Sequence, residues 1–248
     1  MRFASALVVF AHPDDAEYMC GGTVALWARE GTDVHYCVIT DGSAGSNEPG
    51  ASREEMAIVR ECEQRAAAEV LGVKSLSFLG YRDGELEVNL ETRRAVTRVV
   101  RRIRPEVILA PDPQRLWSVS GYINQSDHKA AGVLALSSVM PDSPTRLQFT
   151  ELLDEGLKPF EIANLWLSAE EPDTYVDIGK TLDIKLEALT RHESQHRDAS
   201  PDWVRERARE LGEQAGVEYA EAFRAFSFKD EDDSDEEVMT EEATNEAG

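Results

Sequence analysis

A histidine and two adjacent aspartates follow the first strongly apolar run of the chain. Residues 6–11 (ALVVFA) lead directly into His12, Pro13, Asp14 and Asp15. Neighbouring carboxylates repel each other, and burying either one without a partner is costly. A partner is therefore expected beside them, and the candidates are a metal ion, a basic side chain or water.

A metal ion would need a ligand from elsewhere in the chain, because a catalytic zinc site takes three protein ligands and leaves a fourth position open. His35 lies inside a predicted strand, and His192 and His196 lie in a late predicted helix. His128 follows Asp127 in the segment NQSDHKAAG, where a loop runs into a helix. His128 is therefore the predicted third ligand, and Asp127 can support the site from behind.

The elements that must hold these residues alternate between strands and helices. Apolar runs rich in β-branched residues predict buried strands at 6–11, 33–40, 75–80 and 106–111. Segments with a helical spacing of apolar residues separate them, at 16–31, 52–73 and 89–105. This alternation is typical of a Rossmann-like α/β fold, a mostly parallel sheet flanked by helices.

The second half of the chain predicts a short antiparallel extension of this sheet. Residues 162–169 and 174–178 are expected to form two further strands as an antiparallel pair. Closing helices are expected at 180–195 and 201–226. No repeat or linker divides the sequence, so we expect one domain over residues 1–228.

The predicted sheet brings four polar segments to one edge. In open α/β sheets, ligands bind outside the carboxyl ends of the strands. Those ends are followed by HPDD, DGSAG, GYRDGEL and PDPQ, in chain order. The sequence therefore predicts that the candidate metal ligands lie at this edge.

The HPDD turn also has a purely structural interpretation. Asp is favoured in Asx turns and at helix N-caps, and acidic side chains suit the positive end of a helix dipole. The second motif, SDH at another strand end, favours the metal site over this alternative.

The charge of the chain excludes some partners. Its 48 acidic and 26 basic side chains give a formal net charge of -22. Nucleic acids and anionic membranes need basic surface, so neither is an expected partner. Residues 229–248 are almost wholly acidic or small and polar. They cannot bury enough apolar surface to fold, so we predict a disordered, solvating tail.

Cysteine usage and hydropathy indicate a cytoplasmic protein. Cys20, Cys37 and Cys62 are odd in number and widely spaced, which fits neither a disulfide framework nor a thiolate metal cluster. No apolar stretch approaches the roughly 20 residues of a membrane span. The oligomeric state stays open, homo-oligomers included.

The motifs, in their order along the chain, resemble the LmbE/PIG-L family. They are AHPDDAE followed by GGT, then TDGSAG, RECE, FLGYRDGEL, SDHKAAG and KLEALTRHESQ. The resemblance runs from about residue 5 to about residue 226. AHPDD at a strand end with a later DH is specific, whereas DG or RxxE alone is not. The family contains metal-dependent N-acetylglucosaminyl deacetylases and related amidases, including enzymes of mycothiol and bacillithiol synthesis.

This resemblance implies a division of roles among the acidic and histidine residues. His12, Asp15 and His128 would be the metal ligands, and the metal would be zinc, with ferrous iron substituting in some relatives. Asp14 would be the general base, since a metal lowers the pKa of water towards about 7 and a carboxylate can complete the deprotonation. Attack on an amide carbonyl then gives acetate and a free amine.

The chain departs from the family pattern at one catalytic position. Relatives commonly have the motif HPDH, whose first histidine is thought to stabilise the oxyanion or protonate the leaving amine. This chain has Gln125 in place of that first histidine, followed by Ser126, Asp127 and His128. Glutamine can donate a hydrogen bond to an oxyanion but cannot supply a proton at neutral pH. Either Asp14, protonated in the first step, delivers the proton to the amine, or another group does, and Tyr122 and His192 are the candidates for that group. A surface position on its helix is the other interpretation of His192.

Three residues are predicted substrate contacts: Arg60, Asp83 and Tyr122. Arg60 would reach a sugar or phosphate, or else pair with Glu63 three residues later on a helix surface. Asp83 would bind sugar hydroxyls, or else shape an Asp-Gly turn.

The predicted function is zinc-dependent removal of an acetyl group from a small N-acetylglucosamine-type conjugate. Two alternatives stay open, an amidase for a larger acyl or thiol conjugate and a non-catalytic sugar-binding protein. Gln125 favours the sugar-binding alternative, but Asp14 speaks against it, because a binding protein needs no general base. A nucleotide-binding protein is disfavoured, because the GG of MCGGT lacks the spaced glycine fingerprint.

Overall fold

The computed structural model describes residues 2–117, 121, 123–196 and 202–228. The predicted acidic tail, 229–248, lies outside these residues. The strands are β1 Ser5–Phe10, β2 Asp33–Thr40, β3 Ser75–Tyr81, β4 Val107–Pro111, β5 Asn164–Ser168, β6 Thr174–Asp177 and β7 Ala220–Ser227. The helices are α1 Asp15–Arg29, α2 Arg53–Leu71, α3 Leu90–Ile103, α4 Ser126–Ser137, α5 Glu151–Asp154, α6 Leu182–Thr190, α7 Glu193–His196 and α8 Asp202–Ala215, with a π-helical turn at Ser138–Asp142.

The seven strands form one mostly parallel sheet in the order β3-β2-β1-β4-β5-β7-β6. The first five pair in parallel, and β7 runs antiparallel to both β5 and β6. The predicted fold class, a mostly parallel α/β sheet with an antiparallel extension, is confirmed. The chain order reverses between β1 and β4, and such a switch point is where ligands bind in open α/β sheets.

Alternate residues of β1 face opposite sides of the sheet, as the strand period requires. Val8 and Phe10 pack in one buried cluster with residues of α1 and α2. Leu7 and Val9 pack in a second cluster with residues of α3 and α4. Because both faces are covered, β1 is apolar and fully buried from Ala6 to Phe10, directly before the turn that carries His12.

The predicted helix over 201–226 is wrong in its second half. Helix α8 ends at Ala215, Gly216 has a φ of +73°, and residues from Ala220 to Ser227 form β7. Alanine, glutamate and arginine favour helices in isolation, but here the sheet overrides that preference. The expected pairing of the two preceding strands is also wrong, because β7 lies between β5 and β6.

Strand β7 supports the helix that begins at the candidate site. Helix α1 is interrupted at Cys20, whose φ and ψ are −151° and 20°. The Glu221 carboxylate in β7 accepts the backbone N–H groups of Gly22 and Thr23 at 2.9 and 2.7 Å. It thereby caps the second helical segment, as an N-cap side chain does. Lys185 of α6 donates to the same carboxylate at 2.6 Å.

Across the part of the chain that the structure describes, none of the helices combines the length and the apolarity needed to cross a membrane.

Candidate active site

The predicted ligands meet at the carboxyl edge of the sheet. His12 and Asp15 lie in the turn between β1 and α1, and His128 lies in the first turn of α4. Asp83 follows β3 and approaches from the other side of β1. Two segments more than a hundred positions apart in the chain therefore meet at this edge.

His12, Asp15 and His128 form a compact ligand cluster. Nδ1 of His12 lies 3.2 Å from Nε2 of His128. The Asp15 oxygens lie 3.0 Å from Nε2 of His128 and 3.4 Å from Nδ1 of His12. Tetrahedral coordination at the usual zinc–nitrogen and zinc–oxygen distances separates ligand atoms by roughly 3.3 Å. The donor set and its spacing therefore fit one metal ion with three protein ligands.

The other ring nitrogen of His12 faces two carboxylates. Nε2 lies 3.1 Å from Oδ1 of Asp83 and 3.2 Å from Oδ2 of Asp127. Carboxylates only accept hydrogen bonds when ionised, so Nε2 carries the proton. Bound to a metal, His12 would keep this proton and offer the lone pair of Nδ1 on the side of His128 and Asp15. Asp127, predicted as a catalytic residue, lies behind the ligand and also accepts the N–H of Gly84 at 2.8 Å.

The electrostatics of this cluster favour a positive charge at its centre. Burial lowers the pKa of His12, but the charge of Asp15 and hydrogen bonds to Asp127 and Asp83 outweigh this effect and raise that pKa to about 12. Burial raises the pKa of Asp15, yet the imidazoles of His128 and His12 hold it well below its usual range. A proton on His12 can supply the positive charge, and a divalent cation can supply more of it.

Asp14 occupies a strained position beside the ligands. Its φ is 100°, a left-handed conformation that is uncommon for a residue with a Cβ. It stands at the N-cap of α1, but its side chain makes no capping hydrogen bond to the described backbone of that helix. The structural interpretation of the HPDD turn as a capping motif is therefore wrong for Asp14.

The pKa of the Asp14 carboxyl group is shifted towards neutral pH. Burial raises its pKa, Arg60 and His192 lower it, and Asp15 and Glu17 raise it further, giving about 7. The side chain keeps 15% exposure, so it borders the open side of the cluster. A carboxyl group with a pKa near 7 can both take up and release a proton at physiological pH.

Arg60 is buried beneath the site. Its guanidinium donates to the carbonyl oxygens of Gly42, at 3.0 Å, and of Pro13. It lies 3.4 Å from Oδ1 of Asp14 and 3.7 Å from Oδ2 of Asp83. Arg60 thus ties together the turns after β1, β2 and β3, and its role as a substrate contact stays a prediction.

Other predicted residues take varied positions. Asp83 is buried, and its oxygens approach His12 and the N–H of Ala44, so binding of sugar hydroxyls stays a prediction. Gln125 is exposed at the N-cap of α4 and does not cap it. Tyr122 and the side chain of His196 lie outside the described residues. His35 binds Ser75 between β2 and β3 at 2.7 Å.

A buried polar network behind Asp14 was missed by the sequence analysis. Gln64 accepts the backbone N–H of Asp14 at 2.9 Å and donates to Glu17 at 3.0 Å. The other oxygen of Glu17 lies 3.3 Å from Nε2 of His192, which is fully buried. The surface interpretation of His192 is therefore wrong. The available signal was that Gln64 lies one helical turn after Arg60, and so on the same face of α2.

The predicted pair of Arg60 and Glu63 is replaced by another contact. Glu63 accepts both the backbone N–H and the hydroxyl of Ser194, each at 2.7 Å. Gln195 donates to the carbonyl of Gly45 at 3.1 Å. Helix α7 therefore ties α2 to the loop after β2, on the side of the site away from the strands.

The structure is an α/β protein in which two histidines and one aspartate offer ligand atoms within 4.8 Å of one another, a group that could hold a metal ion. Residues 7–139 match the family described as PIG-L, GlcNAc-PI de-N-acetylase. The chain belongs to this family.

Relatives match over most of the chain. Diacetylchitobiose deacetylase of Thermococcus kodakarensis is 34% identical over 223 residues, which cover 88% of this chain and 81% of the relative. A probable N-acetyl-alpha-D-glucosaminyl L-malate deacetylase 2 of Bacillus anthracis is 29% identical over 90% of this chain and 96% of its own length. The solved N,N'-diacetylchitobiose deacetylase of Pyrococcus horikoshii superposes with a TM-score of 0.83 and 33% identity, over 91% of this chain and 84% of that chain.

One shorter match belongs to another reaction class. A 4-oxalmesaconate hydratase of Pseudomonas putida is 34% identical over 111 residues, 43% of this chain and 43% of the hydratase. A match over less than half of each chain does not assign an activity to this chain. Hydration is nevertheless a reaction that an assay has to distinguish from amide hydrolysis.

Proposed function

We propose that this chain is a metal-dependent N-deacetylase, which removes an acetyl group from an N-acetylglucosamine-type conjugate with zinc as the metal. One observation carries the proposal. Nδ1 of His12 and Nε2 of His128 face each other at 3.2 Å, while the second nitrogen of each ring has its own acceptor. One cation shared by these two nitrogens and Asp15 would satisfy all three groups, and the donor set suits a divalent metal. The family and the full-length deacetylase relatives support the substrate class.

The donor set suits zinc and also ferrous iron, which favours two histidines and one carboxylate with open positions. A divalent cation bound by these residues supplies Lewis-acid chemistry, because it lowers the pKa of a water molecule and polarises an amide carbonyl. Zinc is the metal we assign, since hydrolysis needs no change of redox state.

Asp14 performs the proton transfers in this proposal. Its carboxylate takes a proton from the attacking water as the oxygen bonds to the amide carbon. The protonated carboxyl group then delivers that proton to the leaving nitrogen as the carbon–nitrogen bond breaks. The products are acetate and a free amine. A carboxyl group that alternates between its ionised and protonated forms can act first as base and then as acid.

Gln125 takes a supporting role. It stands exposed at the start of α4, three residues before His128. Its side-chain N–H can donate to the carbonyl oxygen as negative charge develops there. Because glutamine has no proton to give at neutral pH, Asp14 alone serves as the acid.

The test combines metal analysis with amine release. The purified chain is stripped with chelator, reloaded with zinc or ferrous iron, and assayed on N-acetylglucosamine, N,N'-diacetylchitobiose and N-acetylglucosaminyl malate. We expect one bound metal per chain and chelator-sensitive release of amine from at least one of these compounds.

Two other outcomes would overturn the proposal. Bound metal without amine release from any acetamide, or from larger N-acyl sugars, would favour a sugar-binding protein or a hydratase. Release that persists after complete removal of metal would exclude the cluster as the reacting centre. Release only from larger N-acyl substrates would support the amidase alternative.

A further inference from the structure

Asn124 connects His128 to the loop that follows β4. Its side-chain oxygen lies 2.9 Å from Nδ1 of His128. Its side-chain nitrogen donates to the carbonyl of Arg115 at 2.7 Å, and its backbone N–H donates to the carbonyl of Leu116 at 2.9 Å. Asn124 therefore uses its side-chain oxygen, its side-chain nitrogen and its backbone N–H in contacts that join His128 to this loop.

These contacts determine which way the Asn124 amide points. The carbonyl of Arg115 can only accept, so the NH₂ group of Asn124 must face it. The amide oxygen then faces Nδ1 of His128 and can only accept in turn. His128 therefore carries a proton on Nδ1, and Nε2, 3.0 Å from Asp15, is the ring nitrogen that can bind a metal.

We propose that Asn124 is a positioning residue for the metal site, which sets the tautomer and ring orientation of His128 so that Nε2 is available as a ligand. This inference rests on the proposed function, because it assumes that His128 binds the metal. Partners of this kind orient ligand histidines, and their loss typically lowers metal affinity by about 10–100-fold.

The two ligand histidines are held by different chemistry. His12 is fixed by the carboxylates of Asp83 and Asp127, whereas His128 has a neutral amide as its acceptor. Among the described residues, Asn124 is the side chain that holds the ring of His128 from its Nδ1 side. Asn124→Asp keeps an acceptor for Nδ1 but loses the donor to Arg115, whereas Asn124→Ala loses both. The two variants thus separate the orientation of His128 from the attachment of the loop.

A control variant loosens the same loop without touching His128. The Arg115 side chain lies 2.9 Å from Oε1 of Glu170, so Arg115→Ala removes a second attachment of this loop. If Asn124 acted only by holding the loop, Arg115→Ala would lower metal affinity in the same way.

The experiment measures zinc affinity of the full-length chain by competition with a chromophoric chelator. We expect Asn124→Ala to bind zinc about 10–100-fold more weakly than the wild type, with Asn124→Asp and Arg115→Ala within about 3-fold. Ring-nitrogen NMR of the zinc-free protein should show the Nδ1–H tautomer of His128 in the wild type and Asn124→Asp, and its loss in Asn124→Ala.

Unchanged zinc affinity and tautomer in Asn124→Ala would overturn the inference, as would an equal loss of affinity in Arg115→Ala. A wild-type chain that binds no zinc or ferrous iron would instead overturn the proposed function. The tautomer measurement would still decide the role of Asn124 in that case, because it needs no metal.

Discussion

The side-chain oxygen of Gln64 accepts the backbone N–H of Asp14 at 2.9 Å. This hydrogen bond connects the middle of α2 to the turn after β1, where Asp14 has a φ of 100°. The side-chain nitrogen of Gln64 donates to Glu17 at 3.0 Å. Both ends of one buried amide are thus used to hold Asp14 in a conformation that its own side chain disfavours.

Gln64→Ala should therefore lower both stability and activity. The N–H of Asp14 and one oxygen of Glu17 lose their partner in a buried place, which typically costs about 1–3 kcal/mol. Turnover should fall by up to about 100-fold, because a base displaced by an ångström loses that much. Urea unfolding and amine release measure the two effects.

Gln214 offers a matched control for this substitution. It is a glutamine on α8 whose oxygen accepts an exposed hydrogen bond from Tyr175 at 3.1 Å. Gln214→Ala should change the free energy of unfolding by no more than about 0.5 kcal/mol and leave turnover unchanged. Equal effects in both variants would mean that Gln64 does not position Asp14.

Local patterns were enough to predict the sheet edge and the ligand cluster. Strands buried on both faces are nearly continuous apolar runs, so β1, β2 and β4 stand out in the sequence, and their ends carry polar motifs. Gln64 and Glu221 were missed because their partners lie 50 and 199 positions away. No local pattern marks a buried amide or carboxylate that serves a distant backbone.

The wrong assignment of β7 has a related cause. The segment AEAFRAFS has good helix formers, and local preference carries only a few tenths of a kcal/mol per residue. Pairing with β5 and β6, together with the cap that Glu221 gives to α1, outweighs that preference. Such contacts exist only once the rest of the sheet has formed.

Asp14→Asn should separate metal binding from turnover. The amide cannot take a proton from water, so turnover should fall by about 100-fold to 10,000-fold. Zinc affinity should stay close to that of the wild type, because Asp14 is not one of the three clustered ligands. Metal titration and amine release on the same preparation check both parts. Full activity in this variant would show that another group is the base.

The same variant should also change how stability depends on pH. The pKa of Asp14 is raised from 3.8 to about 7, first by burial. Protonated Asp14 therefore stabilises the fold below about pH 4, and this contribution is lost as the pH rises through 7. Asn does not titrate, so the Tm of Asp14→Asn relative to the wild type should rise from pH 4 to about pH 8 and then level off.

This comparison is made on chelated protein, because a bound cation would itself favour the ionised carboxylate. A difference in Tm that does not vary with pH would show that the pKa of Asp14 is not raised in the folded chain.

His128→Ala should abolish tight metal binding, while His35→Ala should not. His128 offers Nε2 to the cluster, and loss of a ligand should weaken zinc affinity by more than the roughly 100-fold seen for supporting residues. His35 binds Ser75 between two strands, outside the ligand cluster. Comparable losses in the two variants would point to general misfolding and against a ligand role for His128.

Lys185→Met should be strongly destabilising, because the pair it breaks is buried. Lys185 and Glu221 lie 2.6 Å apart with side chains only 5% and 3% exposed. Removing one partner of such a pair leaves an uncompensated charge and typically costs about 3–5 kcal/mol. The same substitution at Lys74, which pairs with Asp33 on the surface, should cost no more than about 1 kcal/mol. Denaturant unfolding of both variants measures the contrast.

Stability should rise with salt, because residues 1–228 carry 38 acidic and 25 basic side chains, a net charge of -13. Repulsion among exposed carboxylates opposes the compact state, and salt screens it, with a Debye length of about 10 Å at 0.1 M and about 3 Å at 1 M. Buried pairs such as Lys185 and Glu221 are screened much less, so their contribution should survive.

The Tm at neutral pH should therefore increase between 0.1 and 1 M KCl (about tenfold in ionic strength). The increase should be smaller near pH 4, where carboxylates are partly protonated. A Tm that falls with salt at neutral pH would mean that attractive surface ion pairs outweigh the excess of like charge.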